Sequence, residues 1–479
     1  MIRRLFVRNL LLLQGLNLII KPVWLLLIDR EVQNMLGESV YGEYYIVLNL
    51  SLISNIILDL GIQNFNNATV ASDNSFFKTN FRNILLAKML LSIVYLVVAG
   101  GIGYASGMES KLLVMLLVNQ VIISFILYLR SNINGLHYYT LDSLLSVSDK
   151  FFGIVLCLCF FFTSRISIFY FALAQLLASG LSLLIAFYLN LRYFNLLPAS
   201  GRVSGSIISI LRKSLPYALL FALMGLYTKG DVLMMEWLLP DAELHCGLYA
   251  QSVRLLDASN MFAMLFAGLL LPMFARQISK GEDIRPLANM ASKLLILVSL
   301  TVASAAFLFG KSLMDILYNF DNEGQLEAST RVFGNIMLCF VPMSLIYVFS
   351  TLLTAKGDIR HMNVFAVIAL AVNFLFNIYL IPEYQAFGAS VSSLITQCVF
   401  SLLCIGRCFR LFRFSLEWIT IGRCMIFVIC LAGVYFVIRG IGNIWLILLL
   451  YGLAALILPV FLKMVDISKL ILIFNSRKQ

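Results

Sequence analysis

Unbroken apolar runs constrain this chain more than any other feature of its sequence. SLLIAFYL and IWLILLLYGLAALILPVFL carry no charge at all. Runs approaching about 20 residues are long enough to cross the hydrocarbon core of a bilayer as helices. With 61% of residues hydrophobic and 12% charged, a water-soluble domain could not cover its own exterior. Lipid is the alternative solvent. There the backbone must satisfy its own polar groups, which leaves helices or a closed barrel. A barrel requires alternation of apolar and polar residues, whereas the continuous runs here require helices. The expected fold class is all-α and polytopic.

Fourteen runs can be traced, with cores near 10–28, 44–65, 84–106, 112–129, 144–163, 167–189, 215–239, 248–274, 288–309, 332–355, 362–381, 386–406, 421–438 and 443–462. The loops between them are short, so no soluble domain is expected. A formal net charge of +11 would raise nucleic acid as a partner for a soluble protein; here it reads as topology. With residue 1 in the cytoplasm and the spans alternating, Lys and Arg favour the cytoplasmic segments by roughly four to one, the positive-inside asymmetry. Arg3, Arg4, Arg8, Arg130, Lys150, Arg212, Lys213 and Arg407 fall on that side, while Asp29, Glu31, Glu38 and Glu43 make the first outer loop acidic. Both termini are expected inside, in a bacterial cytoplasmic (inner) membrane. The opening MIRRLFVRN with its apolar run is expected to be a retained first helix, because no small-residue cleavage site follows and Lys21-Pro22 interrupts the run. The scattered cysteines read as small hydrophobes, since no His or Cys cluster at zinc spacing accompanies them.

A faint repeat runs through the chain. The second span is entered through Gly42 and Tyr44 and the eighth through Gly247 and Tyr249, each a Gly-x-Tyr. Polar turns with a glycine, RSNING and TAKGDI, follow the fourth and tenth spans. Two six-helix lobes in parallel pseudo-two-fold repeat are expected, an arrangement found in transporters with the substrate path between the halves. The expected organisation is an N-lobe at 1–190, a cytoplasmic linker at 191–213, a C-lobe at 214–409, and two C-terminal spans with a cytoplasmic tail at 410–479.

Charges inside spans are costly and mark candidate paths. Lys21 lies along the first span, Lys229 and Asp231 in the middle of the seventh, and Arg254 and Asp257 in the eighth. Lys88, early in the third, is expected to snorkel to the cytoplasmic surface. Lys229 with Asp231, and Arg254 with Asp257, can also be structural ion pairs. As a set, Lys21, Lys229 and Arg254 fall on corresponding helices of the two lobes. A cationic cavity there would suit an anionic headgroup such as a phosphate or pyrophosphate. Asn373 and Asn377 share a face of the eleventh span, and Ser390, Ser393, Thr396 and Gln397 follow in the twelfth; such side chains also glue helices together.

The blocks LGESVYGEYYIVLNLSLISNIILDLGIQNFNNATVA, LYTKGDVLMMEWLLPDAELHCGLYAQSVRLLD and LLTAKGDIRHMNVFAVIALAVNFLFNIYLIPEYQAFGASVSSLITQ resemble, in order and on the matching spans, oligosaccharide flippases of the O-antigen and capsule type. These are polysaccharide transporters of the multidrug/oligosaccharidyl-lipid/polysaccharide superfamily. The resemblance implies flipping of undecaprenyl-pyrophosphate-linked sugar units from the inner to the outer leaflet by alternating access. It also implies a lipid-facing role for the last two spans. It places Lys21 and Arg254 among cavity bases and Asp231, Asn373, Asn377 and Ser393 near a sodium site of some relatives. Asn377 stands where those relatives have a second carboxylate, and a hard cation prefers more negative oxygen ligands.

The resulting expectation is a non-enzymatic flippase with no catalytic residue and no cofactor, sodium or protons being the candidate coupling ions. Lys21, Lys229 and Arg254 would bind substrate, while Asp231, Asp257, Asn373, Asn377 and Ser393 would couple or gate. Its expected partners are membrane lipids and the undecaprenyl-pyrophosphate-linked glycan, not nucleic acid. It is expected to act as a monomer, with glycan-assembly proteins as candidate associates. One alternative is a drug or cation exporter of the same fold, which would want an acidic cavity. Another is a membrane polymerase or ligase, which would want a larger outer loop than the residues between 310 and 331.

Overall fold

The computed structural model describes residues 15–63, 66, 70, 74–136, 138–162, 167–194, 207–415 and 417–464. Most of the expected linker at 191–213, the basic N-terminus and the tail lie outside these residues. No strand occurs among the described residues.

Helix α1 runs through residues 15–36 and contains a π turn at Trp24–Asp29. Pro22 accounts for the irregularity: it has no N–H to donate and its ring crowds the carbonyl four residues back. A π turn takes an extra residue, which re-aims the side chains after it. The helix stops at Gly37, whose φ of 78° suits glycine. Next come α2 (Glu38–Asp59), α3 (Asn74–Ala105), α4 (Ser110–Gly135), α5 (Tyr139–Phe162), α6 (Ile168–Phe194), α7 (Ile207–Leu238), α8 (Ala242–Lys280) and α9 (Arg285–Leu317). Helix α10 (Glu323–Lys356) carries a break at Cys339. The helical stretch Ile359–Phe412 turns sharply at Gln385, where φ is 49° and ψ −131°. Its arms, 359–384 and 386–412, are α11 and α12. Pro382 withholds a donor ahead of this corner, and Gly388 lets the second arm lie against the Leu380 carbonyl, 2.1 Å from where a Cβ would stand. Helices α13 (Trp418–Ile438) and α14 (Ile444–Phe461) complete the described fold.

Eleven of these segments are long and apolar enough to cross a membrane. That reckoning takes 359–412 as one segment and omits α1 and α2, which carry Lys21, Asp29, Glu38 and Glu43. With α11 and α12 counted separately and α1 and α2 included, the described helices correspond one for one with the fourteen expected runs.

The chain gathers into two compact units: Met1–Arg254 with Leu370–Ala389, and Leu255–Ala369 with Ser390–Gln479. In the first, an apolar core joins Ile84 of α3, Tyr128 and Ile133 of α4, Leu145 of α5 and Ala186 of α6. Asn190 of α6 crosses to α4, donating to the Leu129 carbonyl at 3.3 Å. In the second unit, α13 and α14 pack on α9 through Phe309, Phe427, Leu431 and Tyr451. Tyr451 also donates to Ser304 Oγ at 2.8 Å. The other faces of α13 and α14 expose Trp418, Val437, Trp445, Leu456 and Phe461, as lipid-facing helices do. At the turn between α10 and α11, Asp358 accepts from Arg407 Nε at 2.7 Å and contacts His361. Its partial burial alone would raise the carboxyl pKa, but the bonds to Arg407 and His361 outweigh that and hold it below the usual range.

Candidate functional site

The first unit contains several polar groupings in an otherwise apolar interior. Asp29, expected in an acidic outer loop, is instead 1% exposed at the end of the π turn. Its carboxylate accepts from Tyr41 OH at 2.9 and 3.0 Å, from Gln33 Nε2 at 3.3 Å and from Arg254 Nε at 2.9 Å. Arg254 also donates to Tyr41 OH at 3.2 Å and lies over the Tyr45 ring, 5.2 Å from its centroid. A buried ion pair survives only when its remaining donors and acceptors are satisfied; Tyr41 and Gln33 do that here. The partner of Arg254 is thus Asp29, which the sequence reading did not select. A signal was present: Leu25, Ile28, Asp29, Val32 and Gln33 keep a helical stripe running past the expected span end, up to Gly37.

The structure brings Asp231, Asn373 and Asn377 together. Asn373 Nδ2 and Asn377 Nδ2 both donate to Asp231 Oδ1 at 2.8 Å, and Tyr249 OH donates to Oδ2 at 2.9 Å. Asn377 Nδ2 also reaches Asn373 Oδ1 at 3.2 Å. All three residues are buried. A sodium ion would need oxygens turned toward it. Here three donors point at the carboxylate and satisfy it, and Asn377 Oδ1 is buried without a partner in the arrangement. As arranged, both asparagines turn amide N–H groups toward the Asp231 carboxylate. Among the described residues, no three His, Cys, Asp or Glu side chains converge as a metal site would require.

Lys21 has Asp149, Arg130 and Lys150 as its charged neighbours. Arg130 and Lys150, expected in a cytoplasmic segment, lie within α4 and α5. Arg130 pairs with Asp142 at 2.8 Å and Lys150 with Asp149 at 3.4 Å, and Lys150 sits 5.2 Å above the Trp24 ring. Lys88 does not snorkel. It is 1% exposed and donates to Leu58 O, Asp59 Oδ1 and Ser124 Oγ at 3.2, 3.2 and 2.9 Å. Three acceptors in reach make burial cheaper than extension to the surface. Lys229 is half-buried on α7, two residues before Asp231. Asp257 and Ser393 belong to the second unit, each half-buried, on α8 and α12.

The repeated Gly-x-Tyr motifs meet. A Cβ on Gly42 would stand 1.8 Å from the Glu243 carbonyl oxygen, and one on Gly247 would stand 2.0 Å from that of Glu38. The start of α2 and the start of α8 therefore cross backbone on backbone, and each motif supplies the glycine that admits the other. Beside them Tyr44 donates to Gln175 Oε1 at 3.2 Å, and Tyr249 holds Asp231. At the opposite end of α2 a cavity of about 240 Å³ opens among α2, α4 and α7. About 26 Å of helix separates Gly42 from Asp59 at that end, close to the thickness of a bilayer core.

The model of the family described as Polysaccharide biosynthesis protein matches residues 7–277. The model described as Lipid II flippase MurJ matches residues 247–457. No curated protein matches the sequence. A solved structure of the lipid II flippase MurJ, in an inward closed conformation, is similar with a TM-score of 0.72 at 13% identity, over 96% of this chain and 99% of that one. An inward-facing multidrug resistance MATE family transporter of the MOP superfamily is similar with a TM-score of 0.63 at 15% identity, over 84% of this chain and 96% of that one. At such identities the likeness is one of fold.

Proposed function

The chain belongs to the polysaccharide biosynthesis protein family, and on that premise we propose that it flips undecaprenyl-pyrophosphate-linked oligosaccharide repeat units from the cytoplasmic to the periplasmic leaflet by alternating access. One observation carries the reading beyond family membership: a single helix, α2, is sealed at one end by the Gly42–Gly247 crossing and lines a cavity at the other. With the N-terminus in the cytoplasm, the seal is outside and the cavity inside, as an inward-open transporter requires.

In this reading the prenyl tail stays in lipid while the headgroup enters from the cytoplasmic side. Lys21, Lys229 and the neighbouring Arg130 and Lys150 offset the pyrophosphate charge. Arg254 joins them by exchanging Asp29 for a phosphate oxygen, an acceptor of similar geometry. Opening of the α2–α8 crossing then releases the headgroup outward. No bond is made or broken, and no ion is routed through Asp231.

The test is transport by the purified full chain in vesicles. A fluorescently tagged undecaprenyl-pyrophosphate glycan in the inner leaflet should become accessible to an impermeant quencher faster than in protein-free vesicles. Equal rates would overturn the proposal.

A further inference from the structure

The cavity at the inner end of α2 has a lining of a different kind from the basic cluster around Lys21. Its polar lining comes from Asn55 and Asp59 at the end of α2, Gln63 just beyond it and Ser124 of α4, and Ala222 and Gly225 of α7 leave the space open. No basic side chain lines it among the described residues. Lys88 neutralises Asp59 and is held by its three acceptors, so it has little left for a ligand. The volume of about 240 Å³ is room for about eight waters at ~30 Å³ each.

The groups that face this space include both hydrogen-bond donors and acceptors. Asn55 lines this space and is half-buried, but its Oδ1 is sealed away from it, which leaves the amide N–H as the group it can offer a ligand. Asp59 Oδ2 has only the Gln63 backbone N–H, at 3.4 Å. Ser124 accepts from Lys88 and keeps its own proton to donate. Leu60 and Gly61, with φ of 41° and 76°, turn the chain so that Gln63 returns beside Asp59. Leu52, Ile53 and Ile56 supply apolar wall. Amide and hydroxyl groups that donate and accept, a carboxylate already paired with Lys88 and an apolar wall match the hydroxyl edge and C–H face of a sugar ring.

We propose that this cavity takes an uncharged, hydroxyl-bearing sugar of the cargo, with Asn55, Asp59 and Gln63 as the side chains that read it. The proposal rests on the reading above that the cargo is a lipid-linked glycan. It assigns sugar recognition to α2, apart from the basic residues that face the phosphates.

The test measures binding to the full chain in nanodiscs. The probes are bare undecaprenyl pyrophosphate and the same carrier bearing glucose, galactose or N-acetylglucosamine. The wild type should bind at least one sugar-bearing carrier about tenfold more tightly than the bare one. In Asn55→Ala and in Gln63→Ala that ratio should fall toward one, and Ala222→Leu, which fills the cavity without removing a polar group, should do the same. If the wild type binds all the carriers equally, the sugar site is overturned while the lipid-carrier reading stands. If it binds none of them, both fall. If all three variants keep the wild-type ratio, the assignment to this cavity is overturned.

Discussion

Asp29 and Arg254 stabilise each other in a setting where neither charge could stand alone. Removing one partner of a buried pair typically costs about 3–5 kcal/mol, because the other charge is left without compensation, whereas replacing both with apolar groups is often neutral. Arg254→Glu would set two carboxylates together, and a loss of folded protein from the membrane is the expected first effect. The double variant Asp29→Leu with Arg254→Met should recover thermal stability in detergent and still fail to transport; restored transport would show the pair to be scaffolding only. The same reasoning applies at Asp231, whose carboxylate already has its three donors. Replacing sodium with choline in the vesicle assay should leave the initial rate within about twofold, since the amide N–H groups of Asn373 and Asn377 already occupy the Asp231 carboxylate. A steep sodium dependence would mean that the asparagines turn their amide oxygens inward during the cycle. The sequence marked Arg254, Asp231, Asn373 and Asn377 as residues of interest because polar groups in apolar runs stand out. It did not show who partners whom, since Asp29 and the two asparagines reach Arg254 and Asp231 from helices more than a hundred residues away in sequence.

Helix α2 ties the candidate site together, and its ends do opposite things. At Gly42 the backbone of α8 comes so close that any side chain would overlap a carbonyl; at Asp59 the interior opens. Gly247→Ala inserts a methyl group 2.0 Å from the Glu38 carbonyl oxygen, so the crossing cannot close without displacing one helix. Transport should slow by at least about tenfold, equivalent to ~1.4 kcal/mol. A cysteine introduced at Glu43 should label faster with an impermeant maleimide in that variant than in the wild-type background. Unchanged labelling and rate would remove the crossing from the mechanism. The repeated Gly-x-Tyr was legible as a pattern, but pattern alone did not reveal that the two copies pack on each other. The end of α1 is obscure in the sequence for a different reason. An acidic residue after an apolar run looks like the start of a loop, and only the helical stripe continuing through Val32 and Gln33 says otherwise.

For the whole molecule, hydropathy did most of what sequence could do: lipid permits so few architectures that fourteen apolar runs translated almost directly into fourteen helices. Cavity shape was beyond its reach, because Ala222 and Gly225 look like ordinary packing residues until α2 and α4 are placed beside them. Orientation rests on the distribution of Lys and Arg, and it decides the direction of the proposed transport. If the N-terminus is cytoplasmic, the turn near residue 320 between α9 and α10, with Asp321 in it and Asp315, Glu323 and Glu327 on the flanking helix ends, faces outward. The turn at Asp358, with Arg360 and Arg407 nearby, then faces inward. Alkaline phosphatase fused after residue 320 should be active and green fluorescent protein at the same point dark, with the reverse result for fusions after Gly357. An inverted pattern at both positions would place the glycine crossing inside and the sugar-sized cavity outside. The cycle proposed here would then have to run in the opposite sense, because the same sealed and open ends of α2 would face exchanged compartments.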